Sequence, residues 1–373
     1  MINALHIPGE RKYWFVRSGN DGGKYFRNFK ENNVVALGHA DNAELDIENN
    51  TTISDTELEA IINGAKRSYQ RNEDSRSSIS SKTNQLKRFL TEIKKDDIII
   101  TVTSDRVLAG KVISDCYYST EILSTPDSDD VNQSKDCRYA VRYDMDWGST
   151  KKRDMLPFVL EKSFKYTGSV LSISDDEQIK ALNHWLFPIH YVDNQVRCSL
   201  KINSQNELSN RQLSRLSSIF DEIELLATYI ESNESNFNFD GFIEYSSEQA
   251  DNYNYTLTAQ HLFMSPGHQF LQLSGSDTKK ALFAIIFAAL FNTQVAFADT
   301  DSSAYENISS EDIQLIVSRY KEVNRFEAIS DSLSINLPTE DVNPGINEYE
   351  ESSEGGLEVD DLEDAEPDDS VML

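Results

Sequence analysis

Cysteine is scarce in this 373-residue sequence: Cys116, Cys137 and Cys198 are scattered, and no two form a CxxC pair. That spacing argues against a disulfide framework and a structural zinc site, and it fits a reducing cytoplasm. Long apolar runs are also missing. The longest, ALFAIIFAALFNTQVAFA at 281–298, is interrupted by Asn292, Thr293 and Gln294 and is short of the roughly 20 residues a bilayer span needs. It is expected to be a helix buried in a second domain. The opening MINALHIPGERK has no basic region followed by an apolar run, so no secretory signal is expected. No GxxxxGKS/T, GxSxG or HExxH string occurs, which removes the usual phosphate-loop, nucleophile-elbow and zinc-protease signatures. No cofactor and no metal are expected.

Positive charge is missing from half of the chain. The formal net charge is -28; residues 1–175 carry 25 Lys and Arg against 27 Asp and Glu, whereas residues 176–373 carry 10 against 36. The second half would repel polyanions and anionic membranes, while the first leaves room for local basic surface. Its most basic stretch is 66–95, where SRSSISSKTNQ reads as a mobile loop. A helix at 57–69, begun by a Ser54/Glu57 capping box, precedes that loop, and a second from about 83 to 94 follows it. The run is a flexible arm for phosphates or a solvated face. Its phosphate-contacting candidates are Lys66, Arg67, Arg71, Arg76, Lys82, Lys87 and Arg88.

The densest pattern present is KYWFVRSGNDGGKYFRNFKENNVVALGHA at 12–40. It encodes a β-prone aromatic strand, a glycine turn, a two-turn helix with Tyr25, Phe26 and Phe29 on one face, and a second strand ended by Gly38-His39. Strands at 98–102, 107–113 and 139–143 make the first half a small, mostly β domain. The polar turn 103–106 lies at a strand end, where ligand contacts usually sit. A helix opens at 174–177, placing a boundary at 176.

Residues 177–337 read as a mixed α/β domain of unknown type. Strands are expected around 189–191, 196–202, 242–245, 255–263, 269–273 and 295–298, with a turn at 265–267. Helices are expected through Trp185, behind a Ser209/Gln212 capping box, from Asp277 and over 310–328. Asp277-Thr278-Lys279 has the order of many nuclease sites, but it opens a helix and reads as a cap. His184 with His190, and His261 with His268, could hold a metal or a proton but lack any specific ligand spacing. Residues 338–373, with fourteen carboxylates in 340–373 and no Lys or Arg, are expected to form a disordered acidic tail.

The motifs at 12–40, KDDIIITVTSDRVLAGKVISDCYYS at 95–119 and DMLPFVLEKSFKYTGSVLSIS at 154–174 resemble the EVE type of PUA-superfamily β-barrel found at the N-terminus of modification-dependent restriction and phage-defence proteins. The resemblance covers about residues 10–175. It implies an α+β protein whose domain 1–176 is a PUA/EVE-like pseudo-barrel that binds nucleic acid, some members flipping a modified base into an aromatic pocket. Trp14 and Arg17 match the family's aromatic and arginine pair, and Gly38 its strand-ending glycine. His39 stands where the family commonly has tryptophan; its flat ring can still stack or donate to a base edge. Ser104, Arg106, Tyr117 and Trp147 complete the base-binding candidates. Core packing is the bland alternative for such aromatics.

The chain is thus expected to be a non-enzymatic, cytoplasmic nucleic-acid sensor in a prokaryotic phage-defence or restriction system. DNA is favoured over RNA, and residues 177–337 are expected to contact a protein partner; no membrane association is expected, and an oligomer is left open. The alternatives are an effector using 281–298 in a membrane or oligomer core, and a nuclease whose site is invisible in sequence.

Overall fold

The structure is a computed structural model and describes residues 2–41, 47–126, 134–153, 156–204, 207–233, 236–249, 252–262, 267–297 and 309–337. β1 (Ile2–His6) and β2 (Tyr13–Val16) lead into α1 (Phe26–Glu31), β3 (Val34–Leu37) and a 3-10 turn at Gly38–Ala40. Gly22 and Gly23, ahead of α1, take positive φ, as the turn composition requires. β4 (Thr51–Thr52) precedes α2 (Asp55–Arg71), which opens on a reciprocal Ser54–Glu57 capping box.

The serine-rich stretch is helix, not the mobile loop its composition predicts. α3 (Arg76–Thr91) starts after Ser75, whose hydroxyl accepts from the Ser78 N–H at 3.2 Å. Thr83, Gln85, Leu86, Phe89 and Leu90 on it are buried, so packing carries a segment of weak helix propensity.

Then come β5 (Ile98–Val102), β6 (Arg106–Val112), β7 (Tyr117–Tyr118), β8 (Leu123–Pro126), β9 (Ser134–Cys137), β10 (Val141–Trp147), β11 (Lys151–Lys152), α4 (Glu161–Phe164) and β12 (Val170–Ile173). The first sheet runs β12-β2-β5-β6-β10-β7-β4, with β11 on β6 and β3 on β10. β2 and β5 are parallel, which takes a crossover, here containing α1, α2 and α3. All four residues of β2 are buried because both faces are covered. Trp14 and Val16 join the core under α1, α2 and α3, and Tyr13 and Phe15 join one built with Leu160, Phe164 and Trp185.

The second half contains α5 (Asp176–Leu186), β13 (Ile189–Val192), β14 (Gln195–Ile202), α6 (Asn210–Asn233), α7 (Phe239–Gln249), β15 (Thr258–Leu262), β16 (Gly267–Ser274), α8 (Asp277–Leu290), β17 (Val295–Phe297), α9 (Ser310–Asn324), α10 (Phe326–Leu333) and β18 (Ile335–Asn336). Its sheet runs β15-β16-β14-β13-β1-β17, with β18 on β14. β1 is parallel to both β13 and β17, so residues 2–6 complete the second sheet although they precede the first in sequence. The architecture is mixed α+β with open sheets, and both belong to one compact unit, Met1–Val342.

Two expectations in this half are corrected. Residues 242–245 are helix: Phe242 packs inward against Tyr229 and Tyr320, and the Asn238 side chain accepts from the Gly241 N–H at 2.9 Å. A four-residue stretch such as Phe242-Ile243-Glu244-Tyr245 is too short for its periodicity to tell strand from helix. The helix expected at 310–328 is two, because Arg325 takes a left-handed φ of 52° between α9 and α10. α8 puts Phe283, Phe287 and their neighbours into the chain's own core. Among the described residues no helix is long and apolar enough to cross a membrane. The acidic tail and most of the 265–267 turn lie outside the described residues.

Candidate nucleic-acid interface

The structure puts the two tryptophan candidates in the core. Trp14 is wholly buried, and its Nε1–H donates to Asp97 Oδ2 at 2.9 Å. Asp97 also accepts from the backbone N–H of Lys12 at 3.2 Å and of Lys94 at 3.0 Å, so the indole belongs to a structural clasp. Trp147 donates from Nε1 to the Phe29 and Val34 carbonyls at 3.1 and 3.3 Å. A Cβ on Gly110 would come within 2.4 Å of the Trp147 ring, so glycine makes the room for it. Neither indole offers a base a free face.

Arg17, Gly38, His39 and Tyr117 are half-buried and engaged with their own neighbours. Arg17 donates from Nη2 to the Tyr166 carbonyl, and its Nε is buried without a partner. The Tyr117 hydroxyl donates to Asp144 Oδ1 at 2.8 Å. Gly38 is needed for contact: a Cβ there would fall 2.3 Å from the Tyr139 ring, which also meets Tyr25 edge-on at 5.0 Å. The His39 carbonyl accepts from the Tyr69 hydroxyl, while its ring lies by Gln85 and Lys82. Burial, helped by the Lys82 charge, pushes the His39 pKa down to about 4, so the imidazole is neutral at pH 7. Gln85 Oε1 accepts from the Ser169 and Val170 N–H groups, tying α3 to the start of β12. Ser18 Oγ, His39 Nε2 and Thr83 Oγ1 are buried and unpartnered. Sequence reasoning missed Gln85 and Tyr139, because only long-range packing brings them to His39 and Gly38.

The phosphate candidates divide between two helices. Lys66, Arg67 and Arg71 lie on α2, and Arg76, Lys82, Lys87 and Arg88 on α3; all but Lys82 are exposed. Lys82 is committed to Asp74 at 2.7 Å and lies over the Tyr69 ring. Arg67 and Arg71 border a shallow groove of about 450 Å³ with Gly64 and Gln70.

Ser104 and Arg106 come together elsewhere, in a cleft of about 930 Å³ also lined by Asp105, Thr150, Lys151, Lys152, Arg153, Glu161 and Lys165. β11 pairs with β6 so that Lys152 stands directly opposite Arg106. Like charges facing each other across a ladder are destabilising, so this pairing needs a counter-charge. Among the described residues, Asp105 meets Arg106 at 3.4 Å, and both are exposed. Glu161 lies 3.5 Å from Arg153 and 3.8 Å from Lys165. Arg153 also donates to the Thr103 carbonyl at 2.9 Å and so buttresses the β5–β6 turn. Among the described residues, five cations thus share the cleft with two carboxylates. None of Trp14, Arg17, Gly38, His39, Tyr117 or Trp147 lines it.

In the second half, Lys279 Nζ donates to the buried Glu224 at 2.7 Å and to the Tyr253 hydroxyl at 2.9 Å, whereas the exposed Asp277 pairs with Lys280. The nuclease-like Asp277-x-Lys279 order therefore does not converge on one point. His184 and His190 do meet, with ring centroids 5.1 Å apart. Among the described residues, however, no group of three or more His, Cys, Asp or Glu side chains could hold a metal ion. No family model matches this chain, and neither a curated protein nor a solved structure matches it, so its function has to be argued from its own residues.

Proposed function

We propose that this chain is a nucleic-acid sensor, non-enzymatic and part of a prokaryotic phage-defence or restriction system, with DNA as the favoured ligand. Its first half is read as a PUA/EVE-type pseudo-barrel from the motifs it resembles, and its second half as the face that contacts a protein partner. The observation that carries the proposal is the Arg106–Lys152 pairing inside a cleft of five cations, in a chain whose net charge is -28. Phosphate oxygens bring negative charge to this pair and accept charge-assisted hydrogen bonds from both side chains. The exposed cations of α2 and α3 provide a second basic surface. Support for a partner face comes from Leu315 and Val323 on α9 and Ile243 on α7, which are 71%, 58% and 48% exposed.

The test is salt-dependent binding of the full chain to labelled DNA carrying unmodified, methylated or hydroxymethylated cytosine. Binding should weaken as salt rises. The Arg106→Glu/Lys152→Glu variant should lose affinity and flatten the log–log salt slope by about 2, one for each phosphate contact removed. An unchanged slope in that variant would remove the cleft from the proposal.

A further inference from the structure

Phe158 is the most exposed large apolar side chain among the described residues, at 91%. It is held out from a rigid base. The 3-10 turn Phe158–Leu160 follows Pro157, the Leu160 N–H donates to the Pro157 carbonyl at 3.0 Å, and Leu160 itself is wholly buried. Gln178 on α5 clamps the same turn by donating to the Val159 carbonyl at 3.2 Å. The Glu161 N–H donates to the Phe158 carbonyl, and Glu161 is a wall of the cationic cleft. A phenyl ring that is 91% exposed therefore stands three residues along the chain from a wall of the cationic cleft.

We infer that the cleft and Phe158 together form a binding site for single-stranded nucleic acid, the backbone following Arg106, Lys152 and Lys165 and one base stacking on the Phe158 ring. This rests on the nucleic-acid reading above and narrows it to a substrate class. A cationic groove beside an aromatic face is the combination that single-strand binding uses, because every base has a π-face and every nucleotide a phosphate. A duplex cannot use the ring without first unstacking a base, at a cost of a few kcal/mol. The turn's buried anchor fixes the backbone that carries the ring, so the ordering on stacking is confined to one side chain.

The experiment measures fluorescence anisotropy of the full chain at low salt with a labelled 12-nucleotide DNA strand, the RNA strand of the same sequence, and the DNA duplex. It is repeated with Phe158→Ala and Phe158→Trp across a salt series. The strand should bind more tightly than the duplex. Phe158→Ala should weaken strand binding by about ten-fold with an unchanged salt slope, since stacking contributes no counterion release, and Phe158→Trp should restore it. The DNA and RNA arms identify the sugar preferred. Phe158 is exposed, so neither substitution threatens the fold. Unchanged strand affinity in Phe158→Ala, or tighter binding of the duplex, overturns this inference and leaves the cleft proposal standing. Failure of the unaltered chain to bind any of the three overturns both.

Discussion

Trp14 and Phe158 are both aromatic residues beside candidate binding surfaces, and burial separates their roles. Trp14 has no solvent-exposed area and donates its only N–H to Asp97, whereas Phe158 contacts almost nothing of its own chain. Removing the first opens a cavity and strips the Asp97 carboxylate of a donor. Trp14→Ala should therefore lower unfolding free energy by about 3–5 kcal/mol, read from the urea midpoint of the full chain. Wild-type stability combined with lost nucleic-acid binding in this variant would return Trp14 to the role of a base contact. His39 belongs to neither class. Neutral and partly buried beside Gln85, it can offer a hydrogen bond or a ring face but not a positive charge to phosphate.

α5 is the element that joins the two sheets, and it does so with opposite faces. Leu182, Trp185 and Leu186 pack beneath the first sheet, while His184 stacks on Phe270 of β16 at 4.0 Å and shares a 2.7 Å hydrogen bond with Ser199 of β14. His190 on β13 lies edge-on to His184 and bonds the Phe187 carbonyl through Nδ1 at 2.9 Å. Burial is the main cause lowering both basicities, to about 3 for His190 and well below the ordinary value for His184. Each is neutral when folded and takes up a proton near pH 6.5 when unfolded. The unfolded state thus binds more protons below that pH, and this part of the stability, complete above it, is lost as pH falls. Stability should drop between pH 7 and pH 5 by up to about 1.4 kcal/mol per pH unit for each histidine. Urea midpoints at pH 7, 6 and 5 check this, and His190→Gln should make the slope shallower. An unchanged slope in His190→Gln would mean that this imidazole is not held neutral.

Charge is the property that operates over the whole molecule. Half of the net charge of -28 lies in residues 340–373, beyond the last residue described. Ending the chain after Leu337 removes fourteen carboxylates and keeps every described residue. Nucleic-acid affinity at low salt should rise several-fold in the shortened chain, and the gain should shrink near 0.15 M salt, where the screening length is about 8 Å. Equal affinity of the two chains in dilute buffer would restrict the acidic segment to a solubilising role.

Short-range features were legible in the sequence. The Ser54/Glu57 and Ser209/Gln212 capping boxes form as written, because each needs only partners three residues apart. The buried fate of 281–290 follows from an apolar run too short for a bilayer. Segments without a strong local signal were settled by packing: α3 forms through serines because Leu86, Phe89 and Leu90 find a core, and Phe242 turns 242–245 into helix by the same means. The placement of β1 between β13 and β17, and the convergence of Arg106, Lys152 and Lys165 on one cleft, exist only in the tertiary structure. By itself the sequence determined the local hydrogen-bonded units and the charge carried by each half. Which aromatic is buried, which is offered to solvent, and which cations share a cleft were decided by sheet pairing and burial, forces that act between residues far apart in the chain.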